Sequence, residues 1–109
     1  MITRACIMDI RQFQDLMKTL FFERDQERGS MNTFAWFVEE VGELAHELRQ
    51  LEAGKLESLS SIEQEFGDVL AWLCSLANLA GVDLEAAAAA KYPGTCSKCG
   101  KNPCECDAT

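Results

Sequence analysis

The sequence predicts an all-α fold: an antiparallel, four-helix, bundle-like protomer with a short cysteine-rich C-terminal tail. Three observations predict it. Apolar residues recur at three- and four-residue spacing along most of the chain up to Tyr92. No strand-like alternation of any length occurs. Gly29-Ser30, Gly54, Gly81 and Pro93-Gly94 divide the chain into segments of helix length.

The first helix is expected from Thr3 or Asp9 to about Glu23, with Ile7, Ile10, Phe13, Leu16, Met17, Leu20 and Phe21 on its apolar side. Asp9 and Gln12 have the spacing of a capping box. Glu23 to Ser30 reads as a charged loop closed by a turn. Ser30 or Asn32 would then cap a second helix that runs to about Glu52 and stops near Gly54. Ser60 with Glu63 is another capping-box match and begins a third helix, ended by Gly81. Asp83 would cap a short fourth helix, Leu84 to Tyr92, whose alanines favour helix but which is too short to stand alone.

Composition narrows the function classes. The 109 residues are enough for one domain, and 48% of them are hydrophobic, which excludes general disorder. A net charge of -8 argues against a nucleic-acid polymer as partner, since that requires a basic face. It does not exclude a nucleotide whose phosphates arrive with a metal. No stretch has the roughly 18 apolar residues of a membrane span, and Met1 to Arg11 lacks a signal-peptide core, so no membrane partner is expected and the chain reads as cytoplasmic. Cys6 and Cys74 are isolated and read as buried or half-buried thiols.

The chemistry concentrates in two acidic stretches. Glu39, Glu40 and Glu43 lie beside an apolar stripe of Val38, Val41, Leu44, Ala45 and Leu48. Glu65 and Asp68 repeat the pattern on the next helix, three residues apart. A solvated face is the ordinary fate of one such pair. Here two occur on consecutive helices, bordered by apolar residues and with no lysine or arginine inside either. Packed antiparallel, these helices would bring together four or five carboxylates, a site for a hard divalent cation. Each stretch also has a central glycine, Gly42 and Gly67, which implies close helix contact, room for a ligand, or a tolerated small residue.

The pattern Glu-Glu-x-x-Glu, about twenty residues, then Glu-x-x-Asp resembles the signature of the MazG-type nucleotide pyrophosphohydrolases, of the all-α nucleoside triphosphate pyrophosphatase superfamily. The resemblance extends to Arg28-Gly29, Thr33, Trp36, Val41 to Ala45, Asp68-Val69, Ala77-Asn78 and Lys91-Tyr92. It implies hydrolysis of a nucleotide between its α- and β-phosphates, giving a monophosphate and pyrophosphate. It carries Mg²⁺, with Mn²⁺ as substitute, onto Glu40, Glu43, Glu65 and Asp68. Glu39 is a fifth member, as ligand or hydrogen-bonding neighbour, and a glutamate among Glu39, Glu40 and Glu43 would activate water.

Around these acids the residues leave alternatives. Asn78 and Lys91 are phosphate contacts, or a helix cap and a solvated lysine. Trp36 stacks on a base or packs in the core, the second being commoner for an aromatic on an apolar helix. Arg28 meets phosphate, or pairs with Asp25 or a glutamate. Glu43 and His46 have the Glu-x-x-His spacing of di-iron carboxylate bundles, but no histidine accompanies Glu65 and Asp68. A third reading is a non-catalytic, metal-binding assembly module. The surplus of large apolar residues on the second and third helices, Phe34, Phe37, Trp72, Leu73, Leu76 and Leu79, points to a homodimer or homotetramer.

Residues 93–109 form a tail distinct from the catalytic domain of residues 1–92. Cys96-x-x-Cys99-Gly100 and Cys104-x-Cys106 have the character of a zinc knuckle, shared by two chains or closed within one. A reducing tail and a disulfide pair are the alternatives.

Overall fold

The computed structural model describes residues 8–107, and the expectations for Thr3, Cys6 and Ile7 lie outside them. Four helices form: α1 (Ile10–Arg28), α2 (Ser30–Glu52), α3 (Ser60–Ala80) and α4 (Leu84–Lys91), with no strand among the described residues. No single helix is long and apolar enough to cross a membrane.

Asp9 starts α1 with the expected capping box, in which its side chain accepts from Gln12 N–H and Gln12 accepts from Asp9 N–H. The helix then continues five residues beyond Glu23, so the charged loop expected there does not exist. Charge alone does not break a helix, and nothing before Gly29 is a breaker. Asp25 and Arg28, one turn apart, pair at 2.8 Å and hold that last turn.

One residue separates α1 from α2. Gly29 serves both helix ends at φ 84°, where a β-carbon would be strained. Neither Ser30 nor Asn32 caps α2. Asn32 instead donates to Arg28 C=O at 3.1 Å, satisfying an end carbonyl of α1. The Ser60–Glu63 capping box is also absent: Leu59 occupies the N-cap position, and Ser60 is already helical. At the far end of α3, Gly81 closes the helix with φ 74° as expected, Val82 N–H reaching back to Ala77 C=O. Asp83 caps α4 through Ala86 N–H.

The pairs Trp36–Trp72 and Glu47–Ser61 show that α2 and α3 run antiparallel. Antiparallel to α3 as well, α1 is pinned to it by Gln14. That side chain donates to Asn78 Oδ1 (3.0 Å) and Val82 C=O (2.7 Å), and accepts from Leu84 N–H (2.9 Å). Asn78 returns a bond to Gln14 C=O at 3.1 Å. The buried amide is thereby satisfied, and three helices meet at one residue. Arg11 ties α1 to α4 through Asp83 (2.9 Å) and Glu85 (3.3 Å).

The core is small: Met17, Ile62, Cys74 and Ala77 are its buried hydrophobic members, with the Cys74 thiol fully enclosed. Phe34, Val38, Val41 and Leu48 occupy roughly a quarter of the circumference of α2 at about 100° per residue, and all four are exposed. Phe66, Leu70 and Leu73 form an exposed stripe on α3. The stripe expected to border a buried face therefore points outward, while the acids turn inward between α2 and α3. The radius of gyration is 16.6 Å, against about 13 Å for a compact chain of this length.

Candidate active site and metal centre

A polar seam runs along the α2–α3 hairpin. At one end Glu47 accepts a bond from Ser61 at 2.9 Å. In the middle, Glu40 and Glu43 from α2 and Glu65 from α3 converge, each offering a carboxylate oxygen within 4.8 Å of the others. At the other end Trp36 and Trp72 stack, centroids 6.2 Å apart and planes 12° from parallel. Helical register produces this order: residues three and four apart share a face, so both motifs present their acids on the sides that meet.

Electrostatics marks the middle of the seam. Burial pushes the Glu40 carboxyl up, and the neighbouring Glu65, then Asp68 and Glu43, push it the same way. Glu65 Oε2 is buried and has no hydrogen-bond partner. A buried carboxylate oxygen left unpaired among like charges is costly, and a cation accepting it removes that cost. The donor set is all oxygen, suited to a hard ion. Asp68 stands one turn along α3 from Glu65, near enough to act on Glu40, but it is exposed and outside the convergent group. Glu39 is exposed and flanks that group without belonging to it.

Asp68 instead lines a cavity of about 290 Å³ between α1 and α3, with Arg24, Asp25, Arg28, Trp72 and Ser75 among its walls. Arg28 donates to Asp25 Oδ1 (2.8 Å) and Thr33 Oγ1 (3.5 Å), and its guanidinium lies 4.9 Å from the Trp72 ring centroid. Asp25 is 1% exposed, yet its second oxygen has no partner. The cavity and the acid cluster adjoin through Asp68.

The chain matches the family model for the MazG nucleotide pyrophosphohydrolase domain over residues 28–99. It belongs to that family. No curated protein matches the chain. The MazG match opens at Arg28 beside the cavity, takes in both acidic stretches and α4, and ends inside the tail at Cys99. The MazG domain carries nucleotide pyrophosphohydrolase activity in general.

Other residues named from the sequence lie elsewhere. Asn78 is engaged with Gln14, ten residues beyond Asp68 on α3, roughly 15 Å of helix at 1.5 Å per residue. Lys91 is exposed in the last turn of α4. Trp36 is 48% exposed and stacks on Trp72 at the end of the seam. His46 is exposed and outside the acid group. A β-carbon at Gly42 or Gly67 would meet open space, so neither glycine serves a close contact within the protomer.

Sequence reasoning left Asp25, Trp72 and the Glu47–Ser61 bond out of the site. The Asp25–Arg28 pair was one of the alternatives read for Arg28 and is the one the structure shows, but its spacing of three was not used as a sign that the helix continues. The four tail cysteines, Cys96, Cys99, Cys104 and Cys106, form a second convergent group, separate from the acids.

Proposed function

We propose that the chain is a Mg²⁺-dependent hydrolase that cleaves a nucleoside triphosphate or related nucleotide between the α- and β-phosphates, releasing monophosphate and pyrophosphate. The observation that carries this reading is the convergence of Glu40, Glu43 and Glu65 from two helices inside a MazG domain. Glu40, Glu43 and Glu65 would hold the metal, with Asp68 next to them. When bound, Mg²⁺ supplies charge neutralisation and polarisation at the phosphates.

The chain's own side chains do the rest. The carboxylate that orients the attacking water comes from the first motif, where Glu43 is the convergent member open to solvent and Glu39 flanks the group. Trp72 offers an aromatic wall to the nucleoside end, in the cavity that Asp68 lines beside the acid cluster. Arg28, fixed by Asp25 and stacked on Trp72, sets the shape of that wall. Lys91 and Asn78 have no role in this scheme.

The exposed stripes of α2 and α3 complete the proposal. Seven large apolar side chains stand exposed on two adjacent helices, and further copies of this chain would cover them, giving a homodimer or a dimer of dimers. Gly42, with open space around it, sits next to the α2 stripe and permits close approach.

The test is a panel of nucleotides assayed for pyrophosphate with Mg²⁺, on the parent chain and on Glu43→Gln. Release of pyrophosphate that falls by orders of magnitude in the variant, at unchanged helix content, is the expected result. Metal-dependent assembly without turnover on any nucleotide would make the bundle a binding module instead.

A further inference from the structure

We infer that residues 94–106 are a mononuclear structural zinc knuckle, closed within one chain by Cys96, Cys99, Cys104 and Cys106. Geometry carries the inference. A tetrahedral zinc with Zn–S bonds of about 2.3 Å separates its sulfurs by about 3.8 Å. Here Cys96 Sγ and Cys106 Sγ are 3.7 Å apart, Cys99 Sγ and Cys104 Sγ 3.9 Å, and all four ligand atoms lie within 4.8 Å of one another. Both sulfur pairs stand far beyond the roughly 2.05 Å of a disulfide. A polynuclear iron–sulfur cluster places its own iron and sulfide between the thiolates and would hold them wider. The space fits one ion.

The backbone is arranged for thiolates. Lys98 N–H donates to Cys96 Sγ (3.4 Å), Glu105 N–H to Cys99 Sγ (3.4 Å) and Cys106 N–H to Cys104 Sγ (3.3 Å). Such bonds spread the charge that four sulfurs bring to one metal and fix the ligand directions. Cys96 C=O accepts from Gly100 N–H, and Cys96 N–H donates to Lys101 C=O, wrapping the first knuckle about Gly100 at φ 71°. Asn102 Nδ2 closes the lobe on Gly94 C=O at 3.0 Å.

Nothing else holds this lobe together. From Gly94 to Cys106 the chain has one proline and no large aliphatic or aromatic side chain, and no buried residue. A segment without a core keeps one conformation only if a crosslink replaces it, and metal binding then becomes its folding energy. Four protein ligands leave no open position, so the metal is structural, with no place for substrate or water. Thiolate ligands in a site half open to solvent favour zinc, which has no redox chemistry to lose.

The test is metal analysis of the full-length protein purified under reducing conditions, with native mass spectrometry for stoichiometry. One zinc per chain is expected, falling to none in Cys96→Ser/Cys99→Ser, with helical circular dichroism unchanged. Co²⁺ exchanged into the parent should give the intense visible bands of tetrahedral thiolate cobalt. Half a zinc per chain, iron in place of zinc, or reduced protein that takes up no zinc on titration would each overturn the proposal. The nucleotide assay is a separate measurement, so failure here leaves the pyrophosphohydrolase reading standing.

Discussion

The two ligand clusters of this molecule are built in opposite ways. The carboxylates stand on two long helices, whose register alone brings Glu40, Glu43 and Glu65 together. The thiols stand on a short irregular tail, brought together by turns and N–H···S bonds with no core beneath them. The first cluster is a scaffold that stands without a metal: like charges gather and Glu65 keeps a buried oxygen unpaired, which a bound cation would relieve. The second, on the reading proposed above, is a fold that would need its metal. A site on rigid helices can hold a weakly bound, exchangeable hard ion, whereas a coreless lobe requires tight thiolate coordination. Metal removal should therefore silence one region and unfold the other.

The largest effect expected belongs to the acids. Glu65→Gln removes one charge and almost no volume, so turnover should drop by orders of magnitude while far-ultraviolet circular dichroism stays that of the parent. A zinc-selective chelator should have the reverse signature, freeing the tail to proteolysis while Mg²⁺-supported pyrophosphate release persists. If chelation also ends turnover, the two regions are not independent and the tail acts on the site.

Next in size is Arg28→Ala. Asp25 is buried and its Arg28 partner lies 2.8 Å away, with side chains 2% and 25% exposed. Removing the cation strands a buried carboxylate that already has one unpaired oxygen. The cost should be on the order of 3 kcal/mol, read as a lower urea midpoint. Arg28→Lys keeps the charge but loses the planar face on Trp72, and should fall between. Equal stability of all three proteins would mean that the Asp25–Arg28 pair contributes nothing to holding the last turn of α1.

The cation itself should add stability to the acid scaffold. At a concentration a hundredfold above its dissociation constant, an ion that binds only the folded state contributes about 2.7 kcal/mol. Mg²⁺ or Mn²⁺ should thus raise the melting temperature of the helical transition, and Glu43→Gln should shrink that rise. An unchanged melting curve would leave the acids as a polar seam without a metal.

Much of this contrast was legible in the sequence, for identifiable reasons. Periodicity and glycines marked all four helices, and spacing marked both side-chain clusters, Asp68 excepted. The end of α1 was misread because a run of charges looks like a loop, although the Asp25–Arg28 pair weighed for Arg28 has the spacing of one helical turn. Capping at Ser30 and Ser60 failed because a hydroxyl beside a helix start is a common signal, whereas Gly29 and Leu59 hold those positions through the backbone. That the acids of α2 and α3 face each other was legible and holds for Glu40, Glu43 and Glu65, whereas the sequence does not say that the bordering apolar stripes are left exposed or that Asp68 stands outside the group. Nor does it tell how far Asn78 stands from the acids, or that Cys96 faces Cys106 and Cys99 faces Cys104.

The smallest effect tests the hinge between the two regions. Asp83 caps α4, the helix from which the tail hangs, and holds Arg11 of α1 at 2.9 Å. The backbone N–H of Ala86 and then Arg11 hold its carboxyl below the usual carboxylate range. A depressed folded-state pKa adds stability above the unfolded value and loses it as pH falls through the folded one. Asp83→Asn retains a good cap but removes the charge. The parent should therefore melt slightly higher than Asp83→Asn near neutral pH, and the gap should close as pH drops below about 4, the ordinary aspartate range. High salt should narrow it as well, because the pair is exposed. Zinc content should be the same in both proteins, and so should turnover with Mg²⁺. A gap that persists at acid pH would show that Asp83 acts through cap geometry alone, with the Arg11 pair contributing nothing to how α4 is held.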